Sequence, residues 1–117
     1  LEGFNGTVLA YGQTGTGKTY TMGILERVRT GHAGIIPRAL AHVFSHVESH
    51  PDSEWEVTMS FLQIYLETVQ DLFQPPSEER ADENLAIRED PRSGFYVEGL
   101  QSFPVRSFGE AVELLNW

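Results

Sequence analysis

Apolar residues along this chain fall into short runs set apart by glycine, proline and acidic punctuation, and the period within each run predicts its element. Thr7 to Tyr11 (Thr-Val-Leu-Ala-Tyr) is β-branched and aromatic and lies between glycines, the composition of a short strand. Leu40, Val43, Phe44 and Val47 recur at i, i+3, i+4 and i+7. That apolar stripe predicts a helix beginning near Pro37 and packing onto a sheet. Pro51-Asp52-Ser53 should end it. From Trp55 to Leu66 the chain is again β-branched and aromatic, and between Phe61 and Leu66 apolar residues occupy both alternating faces. A strand covered on both sides, as in the middle of an α/β sheet, has this pattern. Val69 to Phe73 is a shorter continuation, and Pro75-Pro76 forces an exit into an acidic loop from Ser77 to Asn84.

Two further short strands, Leu85 to Glu89 and Phe95 to Leu100, flank Asp90-Pro91-Arg92-Ser93-Gly94, which has turn chemistry at most of its positions and predicts a small hairpin. Ser107-Phe108-Gly109-Glu110 has the S-x-x-E form of a capping box, and Ala111, Leu114 and Leu115 begin an apolar helix face behind it. The polar stretch from Glu26 to Gly34 reads as a loop between two helical segments.

The junction after the first strand carries the chemistry. Gly12 to Thr19 read Gly-Gln-Thr-Gly-Thr-Gly-Lys-Thr, a full match to GxxxxGK[ST]. Glycines let a backbone turn tightly around a polyphosphate, so N–H groups from about Gly15 to Thr19 can point inward as an anion nest at a helix start. Lys18 would reach the β- and γ-oxygens as a point charge, and the Thr19 hydroxyl would coordinate Mg²⁺, a hard cation that takes oxygen ligands. Gln13, Thr14 and Thr16 complete the loop. The expected ligand is therefore a nucleoside triphosphate with Mg²⁺, the motif alone leaving the base open.

Composition narrows the class. Of 117 residues, 40% are hydrophobic and 21% charged, and no run approaches the ~18 apolar residues of a membrane span. A net charge of −9, with only eight Lys and Arg scattered along the chain, opposes a broad nucleic-acid surface. Without cysteine there is no disulfide or thiolate metal site. The chain opens at Leu1 just ahead of a strand and closes at Trp117 inside a helical pattern, so it is expected to be an excerpt of a larger domain.

The longer stretch Phe4-Asn5-Gly6-Thr7-Val8-Leu9-Ala10-Tyr11, continued by the phosphate loop and by Tyr20-Thr21-Met22, resembles the kinesin motor domain. Gly34-Ile35-Ile36-Pro37-Arg38 is similar to that family's segment resuming a helix after a surface loop, and Ser60 to Phe73 resembles its central strand and following turn. The resemblance implies a P-loop α/β fold with a central, mostly parallel mixed sheet, helices on both faces and a small β-hairpin lobe, of which residues 1–117 are an incomplete part. It implies a cytoplasmic, cytoskeletal ATPase that moves or exerts force along microtubules, with oligomerisation through segments outside this stretch. Lys18 becomes the catalytic cation, Thr19 the Mg²⁺ ligand and Tyr20 a ring offered to the adenine. Arg88 and Arg92 become the hairpin cations available to an acidic tubulin surface. The N-S-S-R-S-H and D-L-A-G-S-E blocks of the family's two switch regions do not occur in these residues. Since phosphoryl transfer needs all such parts, the excerpt should hold nucleotide without hydrolysing it at a motor's rate.

Weaker constellations read as structure. His42, His46 and His50 recur every four residues, a spacing that would allow zinc, but without an H-E-x-x-H arrangement they read as exposed helix histidines. Asp71 reads as a turn residue, Glu89, Asp90 and Glu98 as surface charge, and Trp55, Phe61, Tyr65 and Phe73 as core or rim aromatics. Two other functions remain open: a nucleotide-holding but catalytically silent microtubule tether, and a small P-loop kinase or GTPase, which would explain the first block alone.

Overall fold

The computed structural model describes residues 3–23, 34–74 and 84–115. They belong to two compact units, one formed by Leu1–Glu56 with Arg106–Trp117, the other by Val57–Val105.

In the first unit a short helix, α1 (Lys18–Met22), follows the glycine-rich loop, and a 15-residue helix, α2 (Ile35–Ser49), follows Gly34. The apolar stripe of α2 faces inward as its spacing requires: Phe44 is buried, and Leu40, Val43 and Val47 are half-buried. Pro37 is also buried, but it sits at the third position of α2 and not the first. A helix leaves its first-turn N–H groups without intrahelical partners, so proline is tolerated throughout that turn and spacing alone does not fix the start. At the other end the last carbonyls are met locally. The Ser49 hydroxyl donates to His46 O at 2.8 Å, and the Trp55 indole donates to His50 O at 3.2 Å.

A third helix (α3, Phe108–Leu115) packs against α2 and completes this unit. Ala111 is fully buried, with Leu114 and Leu115 half-buried beside it. The cap forms with a shift: Ser107 Oγ accepts from the Glu110 amide at 3.2 Å, but Glu110 Oε2 accepts from Arg106 N at 2.5 Å, one residue before the cap. Two amides at the helix start still gain acceptors, which is the physical purpose of the motif.

The second unit is built from three antiparallel pairs. Here β1 (Thr58–Met59) pairs with β6 (Phe103–Pro104), β2 (Leu62–Tyr65) with β3 (Thr68–Asp71), and β4 (Ile87–Asp90) with β5 (Gly94–Val97). Its buried centre comprises Val69, Phe73 and Val105. Phe73 meets Phe61 with ring centroids 5.7 Å apart and Phe103 edge-on at 5.8 Å. The Asp71 carboxylate fixes this corner by accepting the amides of Phe73 and Gln101, each at 2.9 Å. Asp71 ends β3, paired with Leu62, and holds the turn that follows instead of lying within it.

Several expectations need correction. Among the described residues all strand pairing is antiparallel, so the mostly parallel sheet with helices on both faces is not among them. Thr7 to Tyr11 has no strand partner among the described residues and exposes Val8, Leu9 and Tyr11. Strand composition supplies side chains suited to a sheet, whereas a strand also needs a neighbour for its N–H and C=O groups. The run from Trp55 to Leu66 is not one strand covered on both sides: it divides into β1 and β2, with Ile64, Tyr65 and Leu66 exposed. The loop expected from Glu26 to Gly34 lies, except for Gly34, outside the described residues, as do Pro75-Pro76 and the acidic loop up to Glu83.

The β2–β3 hairpin was hidden because its turn lacks turn residues. Tyr65 pairs with Thr68, and the intervening Leu66 and Glu67 both take left-handed backbone, φ 47° and 63°. Asparagine and glycine accept that region far more readily than leucine and glutamate. In the complete motor domain, Leu66→Asn combined with Glu67→Gly should raise stability by about 1 kcal/mol. Urea unfolding checks this; a variant no more stable than its parent would show that tertiary contacts, not turn strain, govern the tip.

Candidate functional site

The geometry of the phosphate-loop segment follows from three glycines and one lysine. Gly15 and Gly17 hold φ of 85° and 92°, backbone open to glycine and strained for other residues. Among the described residues, no heavy atom beyond the chain neighbours lies within 4 Å of where a Cβ would stand at either, so the loop's backbone is bare there on those sides. At Gly12 a Cβ would lie 2.6 Å from Thr16 Oγ1, so that glycine serves the loop's own closure. Thr16 makes this closure, its hydroxyl donating to Gln13 O at 2.7 Å and its amide to the same oxygen at 3.4 Å.

Lys18 folds back across the loop. Its ammonium donates to Gly12 O at 2.5 Å and to Gln13 O at 2.6 Å, so the cation is tethered beside the glycine-rich backbone. An ammonium has three N–H donors, and two are engaged with these carbonyls. Gly17, in left-handed backbone, caps α1 and passes its carbonyl to Thr21 N at 2.9 Å. The loop and the start of α1 thus gather Gly12, Gln13, Thr14, Gly15, Thr16, Gly17, Lys18 and Thr19 into one local structure, with Thr19 and Tyr20 exposed at its helical end.

The residues present fit a polyphosphate with Mg²⁺. Bare glycine backbone, a tethered ammonium and an exposed threonine hydroxyl are the donor set that such a ligand requires.

The hairpin cations are held unequally. Arg88 Nε on β4 pairs with Glu98 Oε2, one residue beyond β5, at 3.0 Å, so part of its charge is already answered. Spacing did not reveal this partner, although the register that aligns the two strands could have done so. Arg92 is exposed in the turn, where its amide and that of Ser93 donate to Asp90 Oδ1 at 2.8 and 2.9 Å. These backbone hydrogen bonds hold the Asp90 carboxyl below its usual range.

Among the described residues no group of three His, Cys, Asp or Glu side chains could hold a metal. His46 of α2 instead stacks with His50, which caps the end of that helix, their rings 4.2 Å apart, and Trp55 lies edge-on to His46 at 5.3 Å. Partial desolvation lowers the His46 pKa, and the neighbouring imidazoles act in the same direction. His42 is exposed as expected, whereas His46 is half-buried.

Comparison with known proteins places this geometry. The kinesin motor domain family matches residues 1–117. The kinesin-like protein KIN-UA of Arabidopsis thaliana is 47% identical over 117 residues, covering 99% of this chain and 12% of that protein. The kinesin-like protein KIF3C of Bos taurus is 40% identical over 116 residues, covering 99% of this chain and 14% of that protein. A solved fast kinesin, analysed for its ATPase mechanism and interactions with microtubules, superposes with a TM-score of 0.83 at 37% identity, over 96% of this chain and 30% of that one. The chain therefore spans a small part of the proteins it matches, and the match runs through the glycine-rich loop, all three helices and the hairpins alike. With the family pattern covering every residue from Leu1 to Trp117, this chain belongs to the kinesin motor-domain family.

Proposed function

We propose that this chain is the nucleotide-holding part of a microtubule motor, one that couples ATP hydrolysis to movement or force. The observation that carries the reading is Lys18, tethered to Gly12 O and Gln13 O beside bare glycine backbone in a sequence that matches GxxxxGK[ST]. Gly12 to Thr19 would surround the phosphates with backbone amides, Lys18 would place its remaining N–H and charge on the β/γ oxygens, and Thr19 would offer its hydroxyl to Mg²⁺. When bound, Mg²⁺ supplies charge neutralisation for the phosphoryl group. Tyr20, at the helical end of the loop, would face the adenine. Thr7 to Tyr11 would be a strand of the family's larger sheet, its apolar side chains covered by parts of the motor domain beyond residues 1–117. Of the two hairpin cations, Arg92 is the stronger candidate to meet an acidic microtubule surface, because Arg88 is paired with Glu98. The protein would work in the cytoplasm on the microtubule cytoskeleton.

The test is steady-state ATP turnover by the complete motor domain, with and without microtubules, alongside calorimetry of Mg·ADP uptake. Turnover that rises steeply on microtubules supports the reading. Nucleotide uptake without turnover would point to a silent tether, a strong preference for GTP would point to another P-loop class, and no uptake at all would overturn the nucleotide site.

A further inference from the structure

We propose that Gly34 is a positioning residue for the phosphate loop, acting through a direct backbone contact with Gly23. The inference rests on the reading of Gly12 to Thr19 as the nucleotide seat, and it adds what holds that seat in place.

Gly23 ends α1, its amide donating to Thr19 O at 2.9 Å, and Gly34 caps the start of α2. The two meet main chain to main chain. A Cβ on Gly23 would stand 2.5 Å from Gly34 Cα and 2.6 Å from Gly34 N. A Cβ on Gly34 would stand 2.6 Å from the Met22 carbonyl carbon and closer still to Gly23 Cα and N. Approach this close admits no side chain on either partner, and backbone atoms cannot rotate out of the way as a flexible side chain can.

The consequence reaches α1 through Gly23, which ends that helix, whereas α2 is fixed close to Gly34 by buried Pro37 and, further on, by buried Phe44. The α1 helix rises only about 1.5 Å per residue, so displacement at Gly23 reaches Thr19 and Lys18 within one turn or so. The splice between Gly23 and Gly34 therefore registers the ammonium and hydroxyl of the loop against the anchored helix.

Gly34 is the diagnostic position. Its φ of −74° suits any residue, so alanine there meets only the contact, while Gly23 at φ 78° would add backbone strain of its own. In the complete motor domain, Gly34→Ala should weaken Mg·ADP binding and raise the KM for ATP by about tenfold or more, the scale expected when a binding constellation is displaced by around 1 Å. The melting temperature should stay within a few degrees of the parent. Gly109→Ala, where a Cβ meets nothing nearer than Ser107 Oγ at 3.9 Å, should leave binding and KM unchanged. Amide hydrogen exchange gives a second reading that needs no nucleotide: Gly34→Ala should speed exchange at Thr21 and Gly23, whose amides bond to Gly17 O and Thr19 O, and spare Phe44.

Parent-like Mg·ADP affinity in Gly34→Ala, or unchanged exchange at Thr21 and Gly23, overturns the inference. Should the parent itself take up no Mg·ADP, the nucleotide reading fails while the exchange comparison still decides the splice. Should Gly34→Ala not fold, exchange in the parent decides: Mg·ADP must slow the Arg38 amide, which bonds to Gly34 O, and no change there refutes the coupling.

Discussion

Lys18→Ala in the complete motor domain is expected to abolish microtubule-stimulated ATP turnover, lowering it by about 10³-fold or more while the fold persists. Lys18 is the one cation between Gly12 and Thr19, and it does two things at once. It ties the loop together through Gly12 O and Gln13 O, and it carries a full positive charge to the place where phosphate oxygens would lie. Losing a single preorganised donor to a developing anion costs about 10²–10³-fold, and a charged donor is worth more than a neutral one. Replacing it by alanine takes the ammonium from Gly12 O, while Gln13 O keeps the Thr16 hydroxyl and amide, so the penalty to folding is small. Steady-state turnover and Mg·ADP calorimetry measure the first effect, and circular dichroism the second. Turnover within about tenfold of the parent would remove Lys18 from the chemistry.

What could be read from the sequence follows the range over which each signal acts. The α2 stripe from Leu40 to Val47, the Asp90–Gly94 turn and, with a one-residue shift in its acidic partner, the Ser107 cap are local, and each appears near where its spacing puts it. Signals that depend on a distant partner were harder to read. Thr7 to Tyr11 has strand composition, yet pairing is a property of a neighbour, and none pairs with it among the described residues. The β2–β3 hairpin escaped notice because Leu66 and Glu67 occupy left-handed backbone without the residues that usually announce it. Arg88 looked like an available cation until the strand register brought Glu98 to it. The Gly23–Gly34 contact joins two residues that sequence alone would assign to opposite ends of a loop, and it became visible only when both backbones were in view. At the candidate site itself, residue types and order were legible, whereas the tether from Lys18 to its own loop was not.

The largest effect expected on stability is at Phe73. Phe73→Ala in the complete motor domain should destabilise the fold by about 3–5 kcal/mol, since a buried ring would be exchanged for a cavity. Phe73 is buried at the centre of the second unit, and its ring is shared between Phe61 and Phe103. Truncation removes both aromatic contacts, each worth about 0.5–1.5 kcal/mol beyond its area. Rigid neighbours limit any collapse into the space: the Asp71 carboxylate pins the backbone of Phe73 and Gln101, and Val69 is held by its amide bond to Asn84 Oδ1 at 2.8 Å. Phe73→Leu fills most of the volume and should cost less than about 1.5 kcal/mol. Because Gly12 to Thr19 belong to the other unit, molecules of Phe73→Ala that remain folded should bind Mg·ADP as the parent does. Lys18→Ala and Phe73→Ala therefore form opposite pairs, one losing chemistry at near-constant stability and the other losing stability at constant affinity. Denaturant unfolding read beside calorimetry would expose a failure of either half, and a Phe73→Ala protein as stable as its parent would mean that this ring cluster is not a core.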